Sequence, residues 1–177
     1  MLRGVDPAIH GLVDNSMAPL AETAPSVLFA AKLQGLLTAS FTNWRQLDSL
    51  IEPDASTHRV FIDSGYDPAE DELLVDHVAS LLRYRSPDLM FVYLCRTDLI
   101  GHEHGWGSAE YLEALELVDA TLGRLLRIIG DELNIVVTTD HGGVGDDHSL
   151  TTDDVMDTWV VARSHRIAPG SAWDSAS

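Results

Sequence analysis

Leu89-Met-Phe-Val-Tyr-Leu-Cys95 is apolar from end to end, between Pro87-Asp88 and Arg96-Thr97-Asp98. A strand with one face in water alternates apolar and polar residues. An unbroken apolar run suits a strand covered on both faces, as in a parallel sheet between two layers of helix. The stretch therefore predicts a central, doubly buried strand. Leu133–Thr139 reads as a second buried strand, and Leu36–Thr42, His58–Ile62 and Thr158–Ala162 as three more. Helical patterns separate them. Pro25 opens a helical run that Gly35 closes. Trp44–Ile51 reads as a short helix. Asp67-Pro68-Ala69-Glu70 offers an N-cap, a proline at the first helical position and an acid behind it. Leu74, Val78, Leu81 and Leu82 then share one face. Ser108 caps a long helix that runs to Ile129 and stops at Gly130. The alternation predicts an α/β fold, a mostly parallel central sheet flanked by helices, as a single domain over residues 1–177.

Composition narrows the function. The 28 acidic residues against 11 basic ones give a net charge of −17. Such a chain repels nucleic-acid backbones, so general nucleic-acid binding is not expected. No stretch of about 18 apolar residues exists to span a membrane. Cys95 is the only cysteine, which excludes an internal disulfide.

Both apolar runs end in acids, the first at Arg96-Thr97-Asp98 and the second at Asp140-His141. Open α/β sheets bind ligands beyond the carboxyl ends of their strands. If the two strands are parallel neighbours, both acids lie at that edge. His102 follows Asp98 by four residues, and His148 follows His141 by seven through a loop containing Gly142, Gly143 and Gly145. Glycine lets such a loop fold back tightly. Two carboxylates and three imidazoles can thus converge. One catalytic zinc with an open position takes about three protein ligands. Five suit a pair of cations, the arrangement that clamps both oxygens of a phosphoryl transfer. Cations would also let a strongly acidic chain hold an anionic substrate. Asp and Gly equally suit a plain strand-end turn.

Three segments, Gly4–Met17 (GVDPAIHGLVDNSM), Asp98–Tyr111 (DLIGHEHGWGSAEY) and Thr138–His148 (TTDHGGVGDDH), resemble the alkaline phosphatase superfamily. The closer likeness is to its type I phosphodiesterase/nucleotide pyrophosphatase branch. The resemblance implies a phosphoric ester hydrolase acting on a small phosphate ester or nucleotide. It places one metal on Asp98, His102 and His148 and a second on Asp140 and His141, with zinc the first choice and manganese the second. It gives Asn15 to a phosphoryl oxygen, where its amide stabilises developing charge. It also implies a Thr or Ser nucleophile and a further Asp upstream of the Gly4 segment, so the chain resembles a partial catalytic domain. The compartment stays open for the same reason. A sulfatase or a phosphosugar mutase shares the pattern, and a catalytically inactive metal- or phosphate-binding chain is the alternative from another class. An incomplete sheet would leave an open edge that invites self-association.

Other residues carry weaker signals. His104 reads as a supporting residue and His10 as a local cap. Asp146 and Asp147 read as solvated loop acids, and Cys95 as a buried, inert thiol. Trp106 suits a substrate pocket or ordinary packing equally.

Overall fold

A computed structural model describes residues 2–12, 14–15, 24–63, 67, 69–131, 133–168 and 170. In chain order the elements are α1 (Pro7–His10), α2 (Val27–Leu33), β1 (Thr38–Thr42), α3 (Arg45–Ser49), β2 (His58–Phe61) and α4 (Glu70–Leu82). Then come β3 (Leu89–Val92), α5 (Arg96–His104), α6 (Ala109–Ile129), β4 (Ile135–Thr138), α7 (Asp153–Met156) and β5 (Val160–Arg163). The fold is α/β, as expected. β1, β2 and β3 form a parallel sheet in the order β2-β1-β3, while β4 and β5 form a separate antiparallel pair.

Alternating side chains of the parallel sheet face two apolar layers. Ala39 and Phe41 of β1, with Met90 and Val92 of β3, pack on Leu74, Val75 and Val78 of α4 and Leu125 of α6. On the other face Leu89 and Phe91 join Leu28 of α2 and Ile51 and Ala55 beyond α3. Every residue of β1 is buried, whereas β3 is half-buried along its length.

This corrects the expected centre of the sheet. The apolar β3 lies at an edge of the three described strands, and the more polar Thr-Ala-Ser-Phe-Thr of β1 lies in the middle. Buried hydroxyls are tolerated when bonded. Thr38 Oγ1 donates to the Ala55 carbonyl at 2.7 Å, Ser56 Oγ to Ser40 Oγ at 2.8 Å, and Thr42 Oγ1 to Asp48 Oδ1 at 2.9 Å. The parallel-neighbour condition also fails. β4 pairs with β5 rather than β3, and Val136 and Val161 on that pair are more than 60% exposed.

Helix ends largely follow the expected signals. Ser108 caps α6 by accepting from the Tyr111 N–H at 3.1 Å, and Gly130 ends it. α2 starts after Ser26, which accepts from the Phe29 N–H. Asp67 accepts from the Ala69 N–H, and α4 begins at Glu70; Pro68 lies outside the described residues. Among the described residues no helix is long and apolar enough to cross a membrane.

Candidate metal centre

The chain turns from β3 straight into α5, a helix the apolar run conceals. Neither Cys95 nor Arg96 is an N-cap type, and Cys95 makes no side-chain cap. The cap comes from another element. Asp71 of α4, fully buried, accepts the N–H of Cys95 (3.0 Å) and of Arg96 (3.2 Å), and the Asn43 side-chain amide at 3.0 Å. A carboxylate at a helix N-terminus satisfies free N–H groups and opposes the positive end of the helix dipole. Burial raises the Asp71 pKa, and these three bonds work against that rise. The Arg96 guanidinium reaches Glu72 at 2.6 Å. α5 is thereby pinned to α4, and its Asp98 and His102, four residues apart, share one face.

The second strand-end motif folds back onto that face. His102 Nε2, His141 Nε2 and His148 Nε2 stand 3.7, 3.7 and 3.9 Å from Asp98 Oδ1. That oxygen is buried and makes no hydrogen bond. His102 Nδ1 lies 2.9 Å from the Asp146 carbonyl, and His141 Nδ1 2.9 Å from the Gly142 carbonyl. A carbonyl only accepts, so each Nδ1 carries the proton when the ring is neutral, and each Nε2 lone pair is free. Ring nitrogens bonded outward in this way are the usual setting of metal-ligating histidines. The separations are too long for hydrogen bonds. They are close to the roughly 3.4 Å between two ligands of one tetrahedral cation. One atom each of Asp98, His102 and His148 lies within 4.8 Å of the others, so this trio could hold a cation. His141 Nε2 sits between Asp98 Oδ1 and Asp140 Oδ2, the latter 3.8 Å away.

All six sequence-predicted site residues, Asn15 and the five acids and imidazoles, line one cavity of about 470 Å³. Trp44 and Tyr93, which no sequence motif marks, form another part of its wall, their rings stacked at 6.1 Å and 29°. Burial, then the charges of Asp140 and Asp98, push the Tyr93 phenol up, so it stays neutral and able to donate. Burial and Asp98 raise Tyr111 as well.

The supporting residues sort as follows. His10 Nδ1 accepts from the Leu12 N–H, a local cap. His104 pairs with Glu103 and is not on the cavity wall. Asp147 accepts from the N–H and the hydroxyl of Ser149, which lowers the Asp147 pKa and closes a turn around His148. Cys95 is buried, and burial raises its thiol far above the physiological range. The glycines do not loosen the loop. Gly142 is pressed against the backbone of α7, its N–H bonded to the Val155 carbonyl at 2.8 Å and a Cβ there overlapping the Asp154 carbonyl. Gly145 has φ +62°, which favours glycine.

Fold and site together define an α/β protein with an Asp–His cluster, suited to a divalent cation, at one rim of its parallel sheet. More narrowly, the chain belongs to the type I phosphodiesterase / nucleotide pyrophosphatase family, whose model matches residues 34–172. It is 28% identical over 168 residues to ectonucleotide pyrophosphatase/phosphodiesterase family member 1 of Rattus norvegicus, covering 80% of this chain and 18% of that protein. It therefore spans about a fifth of the length of that relative. Phosphonoacetate hydrolase of Sinorhizobium meliloti shares the fold at a TM-score of 0.56 and 22% identity, over 77% of this chain and 42% of that one. Murine ectonucleotide pyrophosphatase / phosphodiesterase 5 does so at 0.56 and 23%, over 68% and 33%.

Proposed function

We propose that the protein is a metal-dependent phosphoric ester hydrolase of the diesterase or pyrophosphatase type, with a small phosphate ester or nucleotide as substrate. One observation carries the reading: the unbonded Asp98 Oδ1 is faced by three imidazole nitrogens at 3.7 to 3.9 Å. Four electron-pair donors aimed at one another without a proton between them suit a cation. Asp98, His102 and His148 hold the first, and Asp140 and His141 the second. Imidazole and carboxylate donors favour zinc, with manganese next. When bound, the cations polarise the phosphoryl group and offset its negative charge.

The chain's own residues do the rest. Asn15, on the cavity wall, donates its amide to a non-bridging phosphoryl oxygen and stabilises charge as it develops. The Trp44–Tyr93 face gives a flat apolar seat to a base or aromatic leaving group. Neutral Tyr93 can donate a hydrogen bond beside the two carboxylates. Attack falls to a Thr or Ser hydroxyl outside the described wall, as the resemblance implies.

A second reading, metal and phosphate binding without turnover, is favoured by one observation: among the described residues, none that lines the cavity is a Ser or Thr. Elemental analysis and bis-p-nitrophenyl phosphate hydrolysis separate the two. The expected metal content is about one zinc per chain held tightly and a second at higher concentration. Hydrolysis lost on chelation supports the enzyme. Zinc binding without hydrolysis supports the second reading. A folded protein that takes up no metal refutes both.

A further inference from the structure

Trp106 does not line the cavity, yet its ring contacts three of the imidazoles that do. It meets His102 edge-on at 5.1 Å between centroids, His148 edge-on at 5.9 Å, and His141 at 6.5 Å. Its backbone N–H donates to the Gly145 carbonyl at 2.6 Å, which ties the end of α5 to the histidine loop. Two glycines lie against the indole. A Cβ added at Gly101, in α5, would stand 2.6 Å from the ring, and one at Gly143, in the loop, closer still. Neither glycine has a positive φ. Their backbones would accept alanine, and what excludes it is the indole itself.

We propose that Trp106 is a positioning residue for the metal centre. The flat indole fills the slot between Gly101 and Gly143 and sets the spacing between ligand-bearing helix and ligand-bearing loop. Asp98 and His102 stand on one side of that spacing, and His141 and His148 on the other. The two glycines are the matching half of the device, since a Cβ at either would overlap the ring. Of the two roles the sequence allows Trp106, pocket wall or plain packing, the first does not fit the described cavity lining, and the proposal gives the second a purpose. The inference rests on the metal reading above, and its test has a part that needs no metal.

The variants are Trp106→Ala, Trp106→Phe and Gly143→Ala. The last leaves residue 106 intact and pushes the ring out of its slot. Far-UV circular dichroism and urea midpoints identify which variants are folded. If Trp106→Ala is not, the other two carry the test. The first readout is the NMR spectrum of the His102, His141 and His148 rings without metal. One sharp set of ring signals is expected for the parent, and shifted or multiplied sets for Trp106→Ala and Gly143→Ala. The second is zinc affinity by chelator competition, with the visible spectrum of the cobalt-substituted protein. Affinity is expected to fall about 10–100-fold in both variants, with an altered cobalt spectrum and partial recovery in Trp106→Phe. Parent-like ring signals, zinc affinity and cobalt spectrum in both variants overturn the proposal. A parent that binds no metal refutes the metal reading, and the ring signals alone then decide whether Trp106 sets the histidine geometry: unchanged signals overturn it, changed signals support it.

Discussion

Two segments build the centre, and they are held in opposite ways. α5 presents Asp98 and His102 from a regular helix whose first turn is anchored on the buried Asp71 carboxylate. Residues 139–148 present Asp140, His141 and His148 from irregular backbone, held by Gly142 against α7 and by Gly143 and Gly145 against Trp106. The helix owes its geometry to backbone hydrogen bonds and one buried charge. The loop owes its geometry to close approach at Gly142 and Gly143, where a Cβ would overlap its neighbours, and to the positive φ of Gly145. A side chain on the helix can thus be placed by counting residues. A side chain on the loop is placed only by what the loop touches.

The sharpest way to break this comparison is to remove the group both segments share. Asp98→Ala is expected to abolish tight zinc binding and to lower any bis-p-nitrophenyl phosphate hydrolysis at least about 100-fold, checked by metal content and initial rates. Next is the helix anchor. Asp71→Ala leaves two backbone N–H groups and the Asn43 amide without their acceptor, and is expected to cost about 3 kcal/mol in urea unfolding. Gly142→Ala tests the loop. It is expected to cost about 1–3 kcal/mol, through overlap with α7, and to weaken zinc binding more than it weakens the fold. If Asp71→Ala and Gly142→Ala affect zinc and stability in the same proportion, the two segments are not held differently.

The smallest effect is a control away from both segments. Glu52 accepts from the Ser26 N–H at 2.8 Å and the Ser26 hydroxyl at 2.5 Å and pairs with Arg3 at 3.2 Å. Burial opposes its ionisation, but the Ser26 bonds and Arg3 outweigh burial and lower its pKa from the ordinary 4.5. A lowered carboxylate adds stability that is present above pH 4.5 and lost as pH falls through the lowered value. Glu52 is partly exposed, so the share is expected below about 1 kcal/mol. Metal-free Glu52→Gln should be less stable than the parent at pH 6, with the gap closing in strong acid. A gap independent of pH would exclude ionisation as its source.

The residues that could be read from sequence are those whose partners are near in the chain. Ser108 and Gly130 bracket α6 because capping is local, and the Asp98–His102 spacing already holds one turn of helix. α5 itself was hidden because its cap, Asp71, lies on another element and because Leu89–Cys95 reads as a single strand. The centre of the sheet is not legible because apolarity does not track burial here. β1 is buried with three hydroxyls, each bonded to a neighbour. Trp106 left its role open because nothing in Gly-Trp-Gly shows which glycines elsewhere flank the ring. The convergence of six residues on one cavity is legible, although among the described residues β3 and β4 do not pair as expected.

The span of the proposed ligand trio has a consequence for folding. Asp98 and His148 are separated by all of α6 and β4, so a cation held by both would act as a removable staple across that stretch. A staple that binds only the native chain stabilises it by about 2.7 kcal/mol at a hundredfold excess over its dissociation constant. Heat resistance of this protein would then track the free zinc around it, and a chelator would lower the melting temperature without changing a single residue.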